Sequence, residues 1–318
     1  MEETFMQDLK IAVLGIGGVG GYLAGMLAHT YSNVSFVARG SRKAALEEKG
    51  LILHSECNGE IVAHPARVVE TADQLEALDY LFICVKNYSL EQACQTLGAS
   101  VDDHTVIIPV MNGVDPAERT RGYVKHGIVL ESLIYTVAFS NPDFSVTQQG
   151  NFTTVKLGIS GATPAQQAIV ERTRDMMVHA GIDAQACADI QAEIWRKYML
   201  NCAYNVLTAA YNRTIGELRD DPVTRQEYYD LLMETCHVAQ AMGVNLPEEV
   251  AQEEFDRFLH KLKSDATSSL QRDLHPMDGK PRKENELDTF SGYLVRQAHR
   301  LGIPVPLSER YDKMLRLM

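Results

Sequence analysis

Basic charge is short in this 318-residue sequence, with 30 Lys and Arg against 42 Asp and Glu and a formal net charge of −12. Binding along nucleic acid needs a basic surface, so that class of partner is excluded. A small anion held in a local basic pocket is not. Cysteine is also sparse. The six, Cys57, Cys84, Cys94, Cys187, Cys202 and Cys236, include no CxxC pair and no His at metal-ligand spacing. They read as small buried hydrophobes in a reducing compartment, and no metal is expected. No apolar run approaches the ~18 residues of a membrane span. The first ten residues, MEETFMQDLK, lack the apolar stretch of a secretory signal, so no membrane association and a cytoplasmic location are expected. Repeats and low-complexity tracts are absent. Apolar residues nevertheless make up 45% of the chain, which is enough for a large core and excludes disorder.

The length suggests two domains, at roughly 150 residues each. Lys10–Leu14 (KIAVL), VSFVA after Asn33, LILHS from Leu51, Asp79–Val85 (DYLFICV), Thr105–Val110 (TVIIPV) and Gly127–Leu130 (GIVL) are short apolar runs suited to buried strands. Helical spacing follows in Gly21–His29, in SRKAALEEK from Ser41 and near Leu90–Leu97. The rhythm predicts α/β: a Rossmann-type, doubly wound, mostly parallel sheet. From Ile134 to Ile159 the alternating segments FSVTQQ and FTTVKLG predict separate antiparallel strands joined by polar turns. A helix over Pro164–His179 and a strand near Ile182–Gln185 should close the first domain, 1–185. Only helical periodicity follows, so 186–318 should be an all-α C-terminal domain. His275–Asn285, rich in Pro, Gly and charge, is the expected mobile stretch.

Gly15-Ile16-Gly17-Gly18-Val19-Gly20 follows the first strand and opens the first helix. In that context Gly15 permits the tight turn, Gly17 lets backbone approach a pyrophosphate, and Gly20 lets helix and strand pack closely. The helix amides would then face the phosphates. An acidic residue ending the second strand would select NAD; here stand Arg39, Ser41 and Arg42, with no carboxylate until Glu47. An arginine fork suits a 2′-phosphate, so NADP(H) is expected. Ordinary surface charge is the alternative for these arginines. Ligands lie at the carboxyl ends of such strands, which singles out Lys86 for ribose or a carboxylate and Asn112 for nicotinamide or substrate. Asn112-Gly113 reads equally well as a plain turn.

In the second half, Glu193–Ala210 (EIWRKYMLNCAYNVLTAA) is a largely apolar helix interrupted by Lys197, Asn201 and Asn205. The spacing i, i+4, i+8 puts them on one stripe. Asparagines inside an apolar helix are unfavourable unless they find partners. A lysine among apolar neighbours can have its pKa lowered and act in proton transfer.

These residues, with Thr267-Ser268-Ser269, Glu286-Leu287-Asp288 and Leu301-Gly302-Ile303-Pro304-Val305-Pro306, resemble the ketopantoate reductase (2-dehydropantoate 2-reductase) family over nearly the whole chain. The resemblance implies a dinucleotide-binding domain followed by a helical one, with the active site in the cleft and a hinge near residue 185. It makes Lys197 the catalytic lysine, Asn201 and Asn205 the amides of the substrate pocket, Asn112 the asparagine near the nicotinamide, and Ser269 the serine that holds substrate. Glu286 matches the glutamate of the family's Thr-Glu-Ile-Asp segment, and Glu284 is the alternative. Two features depart from the pattern. Asn285 and Ser291-Gly292 stand where the family has Thr and Asn-Gly, and the stretch from Ser269 to Glu286 is longer.

The implied reaction is NADPH-dependent reduction of ketopantoate, in the pantothenate and coenzyme A pathway, with Lys197 as general acid. Two readings stand beside it: reduction of another 2-oxo acid on the same fold, and a redox sensor that binds NADP without turnover. The helical half could carry a homodimer face as easily as a core.

Overall fold

Five of the six apolar runs read as buried strands lie side by side in one sheet, with Arg67–Val69, which does not stand out as a strand in the sequence, at its edge. The computed structural model describes residues 8–276, 281–282 and 284–318, so part of the stretch expected to be mobile, 277–280 and 283, lies outside the described residues. The sheet comprises β1 (Ile11–Leu14), β2 (Val34–Val37), β5 (Arg67–Val69), β6 (Tyr80–Ile83), β7 (Val106–Pro109) and β8 (Ile128–Val129). Its order is β5-β2-β1-β6-β7-β8, and every pairing is parallel. Counted along the chain this is 3-2-1-4-5-6, the order of dinucleotide-binding sheets, with the switch point between β1 and β6. Residues on β1, β2, β6 and β7 are buried throughout. Alternation sends Ile11 and Val13 into one core, Ala12 and Leu14 into another, as a sheet covered on both faces requires. Helices α1 (Gly18–Thr30), α2 (Gly40–Lys49), α3 (Leu90–Gln95) and α4 (Pro116–Tyr123) make the connections.

LILHS does not join that sheet. It forms β3 (Leu51–Ser55), which pairs antiparallel with β4 (Gly59–Ala63), a strand too short and polar-flanked to stand out in the sequence. Together with β9 (Glu131–Ser140), β10 (Val146–Gly158) and β11 (Asp183–Ala186) they build a second, mixed sheet. FSVTQQ and FTTVKLG are not separate strands. They belong to β10, whose register against β9 shifts between Gln149 and Thr154. Buried Gln148 holds this bulge. Its Oε1 accepts from Ser55 Oγ (2.7 Å) and the Cys57 amide (3.2 Å), while Nε2 donates to the Gly150 carbonyl (2.8 Å). Gly150 at φ +83° takes the left-handed bend, so a turn-like signal marks a bulge instead. Helix α5 (Pro164–His179) precedes β11 and starts with a capping box at Thr163.

Ile190 ends one compact unit and Gln191 opens the other. The second unit holds helices and no strand among its described residues: α6 (Ile190–Tyr211), α7 (Ile215–Asp220), α8 (Pro222–Ala241), α9 (Glu248–His260), α10 (Ser269–Leu274), α11 (Tyr293–Leu301) and α12 (Pro306–Leu317). Tyr228 on α8 stacks on Phe258 of α9 at 3.9 Å in its core. No described helix is long and apolar enough to cross a membrane.

Candidate active site

In the first unit the glycine turn sits at the switch point. Gly15 takes φ +96°, and a Cβ there would lie 2.8 Å from the Cys84 carbonyl oxygen at the end of β6. A Cβ on Gly20 would lie 1.9 Å from the Gly15 carbonyl, and one on Gly18 would lie 2.2 Å from the Ala138 carbonyl. These three glycines are needed for packing. Gly17 differs, because nothing lies within 4 Å of its Cβ position. Ile16 is buried in the core and Val19 packs against it, so both serve the turn through backbone and packing. Gly17 caps α1 without a side chain, and no acidic residue occupies the first turn. No carboxylate of this first turn competes for the amides at the helix end, and an approaching phosphate would find both space and partial positive charge. The turn fits a dinucleotide.

Arg39 ends the second strand and N-caps α2 in an extended conformation. Its Nε donates to the Glu70 carbonyl (3.1 Å), and its exposed outer nitrogens carry no protein hydrogen bond among the described residues. Arg42 is engaged elsewhere. Its Nη2 donates to Ser140 Oγ (2.9 Å), and its guanidinium lies over the Phe144 ring at 4.9 Å. Lys86 is exposed just beyond β6, and Asn112 is half-buried beyond β7. The two loops are stapled by Asn87, a residue that local sequence does not single out. Its Nδ2 donates to the Asn112 carbonyl (2.9 Å). Its side-chain and backbone oxygens accept from Arg119 of α4 at 3.2 and 3.0 Å. Its place in the loop after β6 was legible, but its burial and its distant Arg119 partner were not.

In the second unit α6 carries the stripe. Lys197 is half-buried, and burial lowers its pKa to about 8 while the Glu286 carboxylate pulls in the opposite direction. Glu286 is 5% exposed, whereas Glu284 is exposed, so of the two glutamates it is Glu286 that acts on the lysine. Further along, Asn205 Oδ1 accepts from Ser269 Oγ (3.2 Å) and the Leu270 amide (3.4 Å). A backbone amide can only donate, which fixes the oxygen on that side and turns Asn205 Nδ2 toward Asn201 Oδ1 at 3.5 Å. Asn205 thus turns its oxygen toward α10 and its nitrogen toward the Asn201 oxygen. Ser268 has a different task. Its Oγ caps α10 at the Gln271 amide (3.0 Å) and takes a hydrogen bond from Thr208 (2.7 Å). Ser269 is the serine brought to the stripe. Lys197, Asn201, Asn205, Ser269 and Glu286 form one contiguous set in this unit, and the glycine turn, Arg39, Lys86 and Asn112 border the carboxyl edge of the first sheet.

The pattern described as "Ketopantoate reductase PanE/ApbA" matches residues 11–161, and its C-terminal counterpart matches 189–318. The chain belongs to the ketopantoate reductase family. It is therefore an oxidoreductase of the type that uses a nicotinamide dinucleotide. A 2-dehydropantoate 2-reductase of Mesorhizobium japonicum is 29% identical over 259 residues, covering 75% of this chain and 78% of its own. An uncharacterized oxidoreductase of Bacillus subtilis is 26% identical over 307 residues, covering 95% and 96%. Among solved structures, a ketopantoate reductase family protein of Ralstonia eutropha superposes with a TM-score of 0.86 at 25% identity, covering 97% and 98%. A D-mandelate dehydrogenase solved with NADH and anilino(oxo)acetate shares the fold at a TM-score of 0.84 and 20% identity, covering 97% and 98%.

Proposed function

We propose that this ketopantoate reductase family member reduces 2-dehydropantoate to pantoate with NADPH. The observation that carries the reading is Lys197, poised at a pKa of about 8 beside buried Glu286 on a stripe shared with Asn201 and Asn205. A dinucleotide held with its pyrophosphate at the glycine turn would supply the hydride from its reduced nicotinamide ring. The chain's residues do the rest. As two electrons arrive at the ketone carbon, charge grows on the ketone oxygen, and an ammonium hydrogen bond there stabilises that charge. The proton then passes from Lys197 Nζ to the oxygen, leaving the alcohol and a neutral amine that solvent reprotonates. A donor with a pKa near 8 is still mostly protonated at neutral pH and is a far better acid than an ordinary lysine. An ionised Glu286 only accepts hydrogen bonds, so it suits a substrate hydroxyl. Asn201, Asn205 and Ser269 line the substrate, and Asn112 and Lys86 serve the nicotinamide and ribose.

Arg39 supports NADPH over NADH. Its fork is exposed at the end of β2, steadied by the Glu70 carbonyl, and no carboxylate accompanies it before Glu47. The test follows cofactor absorbance with ketopantoate, shorter and longer branched 2-oxo acids and an aromatic one, using NADPH and NADH. Ketopantoate with NADPH should give the highest kcat/KM, and Arg39→Ala should remove the cofactor preference. A higher kcat/KM for another oxo acid, or for NADH, contradicts the assignment. Tight NADPH binding without oxidation by any of them supports the sensor instead.

A further inference from the structure

Glu286, whose charge acts on Lys197, lies just before a backbone irregularity. Asp288–Gly292 forms a single π-helical turn leading into α11. Such a turn leaves carbonyls short of helical donors, and buried carbonyls need partners. Two are met from α6. The Tyr198 hydroxyl donates to the carbonyls of Thr289 (2.8 Å) and Phe290 (3.2 Å), and the Cys202 thiol donates to that of Phe290 (3.0 Å). Tyr198 and Cys202 directly follow Lys197 and Asn201, so the turns of α6 that carry the site also grip the π-turn. Its outer side is clamped by charge. Asp288 takes both ends of Arg296 (2.7 and 2.9 Å) and Nη2 of Arg316 (3.0 Å), and Ser291 Oγ donates to Asp312 (2.6 Å). Hydrogen bonds from Arg296 hold the Asp288 carboxyl below its ordinary range. Gly292 leaves the room, because a Cβ there would lie 2.4 Å from both Arg316 Nη2 and Asp288 Oδ1.

We propose that the π-turn is a positioning device: Tyr198, with the Asp288–Arg296–Arg316 clamp behind it, fixes how closely the Glu286 carboxylate approaches the Lys197 ammonium. The proposal rests on the reading of Lys197 as proton donor only for its functional meaning. Of the other charged and phenolic groups on these elements, Arg196 pairs with Glu253 and Glu254 of α9, Glu193 lies one turn before Lys197 on α6, Tyr198 and Tyr293 meet edge to face, and Glu284 is exposed. Glu286 is the charge that holds the lysine pKa up.

The test is a direct titration of Lys197 in ligand-free protein labelled with carbon-13 at lysine Cε, the resonance assigned by its loss in Lys197→Arg. Tyr198→Phe and Asp288→Asn are each made alone and together with Glu286→Gln. Each should lower the Lys197 pKa by roughly 0.5–1 unit, a fraction of the 1–3 units a close opposite charge contributes. Neither should shift it further once Glu286→Gln is present. A role in packing alone predicts no shift, or the same shift with and without Glu286, and either result overturns the proposal. If Tyr198→Phe does not fold, Asp288→Asn gives the reading, since Asp288 is a 60%-exposed surface member of the clamp. Because no turnover is involved, the expected shifts in a protein that reduces no oxo acid would sink the proton-donor reading and leave the positioning device standing.

Discussion

Lys197 shows what one side chain gains from its neighbours. Burial makes the ammonium unfavourable and Glu286 partly restores it, so the two effects set the acidity from opposite directions. With Lys197 as general acid, kcat/KM should fall as pH rises through about 8. Glu286→Gln removes the stabilising charge and should move that fall to lower pH. An unmoved or raised limb in the pH–rate profile would show that the carboxylate does not act on the lysine. Stability carries the same signature with a definite sign. Between about 8 and the ordinary 10.5 the unfolded chain holds a proton on this residue that the folded chain has released, so stability rises with pH across that window. Lys197→Met should flatten this slope relative to wild type in denaturant titrations. The stripe itself was legible from its i, i+4, i+8 spacing. Glu286 lies far along the chain, just before an irregular turn, so nothing local in the sequence tells which glutamate acts on the lysine.

At the scale of elements, the glycine turn separates glycines that pack from one that faces a ligand. Gly17→Ala meets no atom and should leave the melting temperature near wild type while weakening dinucleotide binding, since the methyl group occupies the phosphate approach. Gly20→Ala drives a methyl group into the Gly15 carbonyl and should cost stability first, by about 1–3 kcal/mol for an overpacked site. Paired calorimetry and thermal melts distinguish the two; equal binding by Gly17→Ala and wild type would argue against a phosphate there. The turn could be read because strand, glycines and helix are contiguous. The bulge in β10 could not, because Gln148 and Gly150 mimic a hairpin signal until Ser55 and Cys57 are brought to them. The π-turn was hidden for a similar reason: its carbonyls are satisfied by Tyr198 and Cys202 from a distant helix.

Across the whole molecule, the parallel sheet follows from apolar runs joined by helices, and the helical second half follows from helix periodicity beyond about residue 185, although the edge strand Arg67–Val69 did not stand out. The side sheet was less visible. Its strands come from separated parts of the chain, and β4 is short with exposed positions, although the strand expected near Ile182–Gln185 is there as β11. Ligand linkage gives a global test of cofactor choice. A ligand that binds only the folded state at a hundred times its Kd adds about 2.7 kcal/mol. At equal concentration NADPH should therefore raise the melting temperature more than NADH, and Arg39→Ala should make the two alike. A larger shift with NADH would contradict the role given to Arg39.

The central claim is that Lys197 delivers the proton as hydride reaches the ketone carbon. The direct measurement is kcat for ketopantoate reduction by Lys197→Ala at saturating NADPH, beside the binding constant for NADPH. The predicted result is a loss of roughly 10²–10⁴ in kcat with cofactor binding unchanged. Turnover equal to wild type in the alanine variant would contradict the account.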